Sequence, residues 1–499
     1  MLQTTERFGS VKRHFALRRL ARLFWLAASI SAAVAKDAAA DVTLWKPDEP
    51  GAGWEVFTNG RIGLFGSYAK GDGTPQPDTF GDPVLVNPNP NLPCDPTTNP
   101  CTYSAPVLHQ TKGGGLSYES QEVDPIPNPD GTPSPKGISR INHMRIRSGF
   151  TGNVLGFGLR RNLDATTKVT AYISYTAIVD SEDQLILSPA PGATSFLDAR
   201  EGYVKIEALW GMVMAGRMGT LFNRGAVVTD FLLLHGYGAG FPGSVTSNGN
   251  FPTAGMIGFG VLANGFASGI VYGTPPLAGV QLNVGVFDPA QLTGTGFERT
   301  KYPRGEFELT VDERLGPNAK LHLYGNGGIQ AHYHTNQTDA VTAIAKGYGL
   351  GGRVQVGPVQ VGAGGHRGTG ISATYMGIPG DSTNDDASEL RPSSGVFGMA
   401  MVSLGKVDVS VGAGQSRIGV LDLDLVPNPN PTTPINPNTG VRDPKFSWIN
   451  TQTAYAGAVV YHVSDYLHLA ADAIFTSFKW NLGEAQKVNI YNVGATLTW

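Results

Sequence analysis

The chain has 499 residues, with 37 Lys+Arg against 40 Asp+Glu and a formal net charge of −3. Beyond its first 35 residues the balance becomes 31 basic to 39 acidic, and no basic stripe remains, which excludes a nucleic-acid partner. Past that point no run approaches the ~18 uncharged apolar residues of a membrane helix, so any passage through a bilayer has to use strands.

In chain order, Arg7, Lys12, Arg13, Arg18, Arg19 and Arg22 precede an apolar run from Leu23 to Val34. Small-residue sites follow at Ala33-Val34-Ala35 and Ala38-Ala39-Ala40. This pattern reads as a secretory signal over residues 1–35, or to 40 if the second site is used, ahead of one domain over 36–499. The apolar run is too short to span ~30 Å as a helix. Cys94 and Cys101 then share one Pro/Asn-rich stretch. In an oxidising compartment they are expected to form a loop disulfide, since a zinc site needs two further ligands and none is near.

From residue 54 onward the text alternates apolar and polar residues in segment after segment. Over Lys168 to Val179, Val169, Ala171, Ile173, Tyr175, Ala177 and Val179 take one face, and Lys168, Thr170, Tyr172, Ser174 and Thr176 the other. Sixteen such segments are expected at 54–70, 138–163, 168–182, 199–209, 212–220, 253–275, 279–289 and 304–315. The series continues at 319–333, 346–357, 359–370, 394–405, 406–418, 447–463, 466–480 and 486–499. Tight connections such as Asp164-Ala165-Thr166-Thr167, Trp210-Gly211 and Gly316-Pro317-Asn318 alternate with long ones such as 71–137, 221–252 and 419–446. The expected fold is therefore all-β: a transmembrane antiparallel β-barrel of about sixteen strands, with short periplasmic turns and long outer loops. The even count places both termini on the short-turn side.

The faces repeat this logic. Phe307, Leu309 and Val311 alternate with Glu306, Glu308, Thr310 and Asp312; Val407, Val409, Val411 and Ala413 alternate with Asp408, Ser410 and Gly412. Glu306, Glu308, Asp312 and Asp408 are thus expected to line a wet lumen, because a core-facing side would not hold three acids. Trp54, Tyr68, Trp480 and Trp499 fall near strand ends, where an aromatic girdle would lie. The Pro-rich stretches 87–100, 125–135 and 427–437 all fall in long connections, as proline requires.

Three places resemble the general trimeric porins of Gram-negative outer membranes. Asn59-Gly60-Arg61-Ile62-Gly63 is similar to the family's opening strand, and Arg145-Ile146-Arg147-Ser148-Gly149-Phe150 to its second. Arg200-Glu201-Gly202-Tyr203-Val204, followed by Gly211 and Gly216-Arg217, resembles the strands that precede the family's inward-folded third loop. The resemblance implies a homotrimer of sixteen-stranded barrels with loop 221–252 narrowing each pore. It further implies wall arginines at Arg61, Arg145, Arg147 and Arg217 facing an acid on the loop, here Asp230. That loop departs from the family in carrying one acid beside Phe231-Leu232-Leu233-Leu234, which implies a weak transverse field. The closing Tyr491-Asn492-Val493-Gly494-Ala495-Thr496-Leu497-Thr498-Trp499 looks like an assembly signal, with Tyr491, Val493, Leu497 and Trp499 on one face, read by the barrel-assembly machinery.

Other chemistry finds little support. Gly347-Tyr348-Gly349-Leu350-Gly351-Gly352 spells a dinucleotide fingerprint but lacks its helix and acid, so it reads as strand. His332 and His334 share a strand face without a third ligand, and Asp381, Asp385 and Asp386 read as a solvated loop. The chain is accordingly expected to be no enzyme, to bind no cofactor or metal, and to sit among outer-membrane lipid and lipopolysaccharide. The expected role is a water-filled channel for passive diffusion of small solutes and ions. The alternative is a non-conducting barrel scaffold presenting Pro-rich loops for adhesion.

Overall fold

The computed structural model describes residues 41–47, 53–72, 85–86, 102–103, 111–112, 121–127, 133–147, 153–178, 196–234, 255–262, 265–289, 297–299, 302–334, 341–371, 390–419, 447–480 and 485–499. The expected signal, Cys94, Cys101 and the Asp381-Asp385-Asp386 group lie outside them.

Among the described residues, twenty-three strands are formed. The first eight are β1 (Val42–Trp45), β2 (Glu55–Asp72), β3 (Leu85–Val86), β4 (Thr102–Tyr103), β5 (Thr111–Lys112), β6 (Gln121–Pro127), β7 (Pro133–Arg147) and β8 (Asn153–Asn162). Next come β9 (Lys168–Ile178), β10 (Phe196–Ala208), β11 (Gly211–Gly219), β12 (Phe266–Gly273), β13 (Val280–Phe287), β14 (Phe297–Arg299), β15 (Arg304–Gly316) and β16 (Ala319–His334). The last are β17 (Val341–Val356), β18 (Val359–Thr369), β19 (Pro392–Leu404), β20 (Val407–Ile418), β21 (Ser447–His462), β22 (Leu467–Trp480) and β23 (Ala485–Thr498). Two short helices, α1 (Arg224–Thr229) and α2 (Phe231–Leu234), follow β11.

These strands make a closed sixteen-stranded antiparallel barrel with one extra strand. β7 and β8 act as one wall strand: β7 pairs the outer half of β2 and β8 its periplasmic half. The wall then runs in sequence to β23, which pairs back onto β2 from Arg61↔Thr498 to Gly71↔Val488. At the seam Gly60 and Trp499 exchange backbone hydrogen bonds of 2.9 and 3.1 Å. Below them the extra strand β1 continues along the same edge of β2.

Alternation decides which way each side chain faces. On β2, Ile62 and Leu64 are 53% and 60% exposed, whereas Phe65 between the next pair is 2% exposed. The exposed set is apolar around the whole wall, including Met144, Leu155, Val204, Ile270, Phe307, Tyr348, Val396, Tyr455 and Val493. An apolar outer band of this extent is the lipid-facing surface of a membrane barrel. Aromatics gather at its periplasmic edge, where Trp210 stacks on Tyr272 at 6.4 Å and Trp45 and Tyr466 are exposed.

One expected strand is corrected. Only Phe266–Gly273 of the 253–275 segment joins the wall; residues 255–262 are the returning leg of the inward loop. Gly255, Gly258 and Gly260 have φ of 58°, 87° and 97°, a left-handed backbone that breaks the extended run. The short strands β1, β3–β6 and β14 were not anticipated; at two to seven residues they are too brief for alternation to register.

Candidate functional site, the lumen and its inward loop

After Gly219 the chain turns into the barrel, with Thr220 N–H donated to Gly265 O at 2.8 Å across the neck of the loop. Glu306 on β15 receives it: one oxygen accepts the backbone N–H groups of Leu221 and Phe222 at 2.7 and 2.9 Å. Its other oxygen pairs with Arg304 at 2.8 Å. Two residues along, Glu308 pairs with Arg224 of α1 and accepts from Asn283 Nδ2 at 3.3 Å. The two carboxylates face the lumen, as alternation requires, and both are buried beneath the loop they anchor.

The helix α1 then lies along the wall. Gly225 packs where any Cβ would strike the Tyr324 ring at 2.2 Å, and Arg353 donates to Val228 O at 3.4 Å. Asp230 ends α1 and is fully buried. Its carboxylate accepts Leu232 N–H at 3.0 Å and Met256 N–H at 2.6 Å, tying the outgoing leg to the returning one. Asp230 therefore serves the loop's own backbone and does not present its charge to an open pore.

The returning leg reaches the far wall. Gly260 N–H donates to Ser416 Oγ at 2.8 Å, its carbonyl lies 3.1 Å from His366 Nδ1, and Gln452 donates to Gly258 O. Phe231, Leu232, Met256, Ile257, Phe259 and Val261 form one buried cluster with inward side chains of β2, β16, β19, β21, β22 and β23, among them Phe65, Phe397, Met399, Ile474 and Phe478. Leu232, two residues beyond Asp230, thus packs against the wall. Among the described residues, the largest apolar cluster lies inside the lumen, between loop and wall.

Inward-facing glycines make room for the loop, a role that sequence reading did not assign. The Gly347-Tyr348-Gly349-Leu350-Gly351 run is strand β17, with Tyr348 and Leu350 turned outward. A Cβ at Gly347 would meet Phe222, and one at Gly414 would stand 1.8 Å from Phe259 O. Glycine at alternate positions opposite outward aromatics is the signal that would have shown it.

The remaining predicted residues separate. Arg61 alternates with outward Ile62 and Leu64 and faces the lumen. Arg145 and Arg147 stand in register with Ser67 and Phe65, but their side chains lie outside the described residues. Arg217 is corrected: it is exposed on the outer face with Val213 and Ala215, which pair outward Ile206 and Val204. The inner face of β11 is Met212, Met214 and Met218, packed with Tyr203, Leu221, Val271 and Phe287. Polar-inward alternation is inverted there because the lumen side is itself apolar. Asp312 pairs with His322 Nδ1 at 2.8 Å, and Asp408 with His462 Nε2 at 2.8 Å. His332 is buried beside the Gln330 amide.

Away from the loop, the wall of β2 and β8–β10 carries a different lining. Phe57, Gly158, Tyr172, Tyr203 and Gly216 occupy one register row across five neighbouring strands. Phe57 stacks with Tyr172 at 6.2 Å over the gap left by Gly158, and Tyr172 meets Tyr203 at 5.5 Å. On the periplasmic side of the row, Arg160 bridges Asp41 and Glu55, each at 2.7 Å, and Lys205 pairs with Glu207 at 3.2 Å. Arg160 also lies 4.7 Å above the Phe57 ring.

A closed membrane barrel with a loop folded into its lumen defines a channel protein of the outer membrane. A family model for Gram-negative porins matches residues 136–498, and the chain belongs to that family. It is an outer-membrane porin, a channel for passive diffusion. Among solved structures it is similar to the outer-membrane channel DcaP of Acinetobacter baumannii, at 12% identity and a TM-score of 0.54, covering 92% of this chain and 100% of that one. OmpT of Vibrio cholerae is 11% identical with a TM-score of 0.45, covering 92% and 99%. OmpF of Salmonella typhi, in complex with daunomycin, is 9% identical with a TM-score of 0.46, covering 89% and 98%. No curated protein matches the chain.

Proposed function

We propose that solutes pass along the β2 and β8–β10 wall, opposite the loop's anchorage, and that the pore is only weakly ion-selective. The observation behind this is where the charges go. Glu306, Glu308 and Asp230 are engaged with the loop's backbone, Arg304 and Arg224, and on the open wall Arg160 pairs with Asp41 and Glu55 and Lys205 with Glu207. Paired charges leave little net field across the lumen, so a permeating ion meets no ring of one sign. Arg61, with Arg147 and Arg145 opposite Phe65 and Ser67 further along the same strand, supplies the wall's basic contribution to the constriction.

The functional unit is a homotrimer embedded in outer-membrane lipid and lipopolysaccharide, as the family resemblance implies. The residue 1–35 signal, the Cys94–Cys101 disulfide and C-terminal recognition by the barrel-assembly machinery belong to the same reading. Purified protein in a planar bilayer tests it. Stepwise conductance in groups of three is expected, with a reversal potential near zero in a potassium chloride gradient. Silence at every voltage overturns the channel, and a reversal potential close to either ion's Nernst value overturns the weak selectivity.

A further inference from the structure

We propose that the periplasmic mouth carries a binding site for a divalent transition-metal ion, built from His462 and His468 and steadied by Asp408. The two histidines stand directly opposite each other in the β21–β22 register, one on each side of the short turn 463–466. Both belong to the inward set that includes Val460, Ala470 and Asp472, so their rings face the mouth of the lumen. Their Nδ1 atoms are 2.8 Å apart, with ring centroids 4.8 Å apart and planes at 83°.

The partner of the other ring nitrogen determines what this pair can do. Asp408 on β20 lies 2.8 Å from His462 Nε2 and accepts its proton. That holds His462 in the tautomer whose Nδ1 keeps a lone pair, and orients the ring by a carboxylate–imidazole contact of the kind found behind metal-bound histidines. The short Nδ1–Nδ1 contact is then made by the Nδ1 proton of His468. A metal ion takes the place of that hydrogen bond: His468 carries its hydrogen on Nε2 instead, and a modest turn of the two rings aims both Nδ1 lone pairs at the ion. Two nitrogens each ~2.0–2.1 Å from one ion lie about 3 Å apart, close to their present separation.

The ligand set selects the metal class. Imidazole nitrogens suit Zn²⁺, Cu²⁺ and Ni²⁺ rather than the hard cations Ca²⁺ and Mg²⁺. Among the described residues no group of three or more protein ligands gathers, so water completes the shell. The His462 side chain is 25% exposed, which leaves that water a path from the periplasm. The site is therefore exchangeable, unlike a closed structural centre.

The test is isothermal titration of the folded full-length protein in detergent with zinc chloride at neutral pH, with Cu²⁺ and Ni²⁺ as companion probes. One ion per chain is expected. His462→Asn and His468→Asn should each weaken binding by at least tenfold, and Asp408→Asn by about tenfold through loss of the orienting contact. Failure of the wild-type protein to bind any of the three ions overturns the proposal, as does unchanged affinity in the H462N/H468N double variant. Should that variant not fold, paramagnetic resonance of the Cu²⁺-loaded wild-type protein decides. Coupling to two imidazole nitrogens is expected, and coupling to fewer overturns the site.

Discussion

Glu306 binds two consecutive backbone N–H groups and Arg304 at once, in a place where water does not reach any of them. Removing one partner of a buried pair strands the other, at a cost of about 3–5 kcal/mol. Glu306→Ala is expected to cost that much in guanidinium unfolding of the micelle-bound protein. Glu306→Gln should cost less than half of it, because its carbonyl still accepts an N–H. Equal, near-zero losses in both variants would show that the anchor contributes nothing. Asp230 makes a sharper case, since its two oxygens face two donors. Asn there turns an amide N–H₂ toward one of those N–H groups, for a loss of about 1–3 kcal/mol. A third carboxylate acts outside the membrane. In the turn after β8, Asp164 Oδ1 accepts from Thr166 N, Thr166 Oγ1 and Thr167 N at 2.7 to 2.8 Å, which holds its carboxyl below the ordinary range. A depressed folded value means the contribution is complete above about pH 4 and fades as pH falls toward the folded value. Asp164→Asn should therefore lower the thermal midpoint at neutral pH, and the gap from wild type should close in acid; a gap independent of pH would refute this.

At the scale of elements, the loop and the wall it lies on were designed together, residue against residue. Gly414 matters because a Cβ there would stand 1.8 Å from Phe259 O, a backbone atom that cannot swing away. Gly414→Val is expected to lift the returning leg off β20 and widen the conducting path, raising single-channel conductance while the barrel stays folded. Conductance equal to wild type would mean that the leg does not narrow the pore. This is also where the sequence was hardest to read. Alternation located fifteen of the sixteen wall segments within a few residues, because lipid outside enforces apolar side chains at period two. It misplaced 253–275, since a leg that packs inside the lumen is as apolar as a lipid-facing strand. The same confusion put Arg217 inside: the methionines of β11 are inward because Leu221 and Phe287 cover them, and no residue pattern along one strand records that cover. Asp230 looked like a pore acid because its partners, Leu232 N–H and Met256 N–H, are backbone atoms with no signature in the text.

The closure of the barrel depends on one seam, where β23 meets β2. Trp499 exchanges hydrogen bonds with Gly60, and its ring lies over that glycine so closely that a Cβ there would come within 2.4 Å of it. Tyr491, Val493 and Leu497 continue the outward face while Asn492, Thr496 and Thr498 turn inward and are buried. Two functions can be assigned to this ending, and they separate experimentally. If Trp499 matters as packing, Trp499→Ala should cost about 1–2 kcal/mol, the value for a half-buried ring, and lower refolding from denaturant and assembly in cells in parallel. If it acts instead as the recognition element, refolding into detergent should stay near wild type while the folded fraction in the outer membrane drops severalfold, read by heat-dependent gel mobility. Trp499→Phe distinguishes further, since it keeps an aromatic with less area over Gly60: it should restore assembly in cells where recognition is what counts, and retain part of the loss in both assays where packing is. Our expectation is the second pattern, because the backbone bonds that close the barrel are made by Gly60 and residue 499 whatever side chain stands there. Parallel losses in both assays, with no rescue by phenylalanine, would reduce the ending to a closing strand.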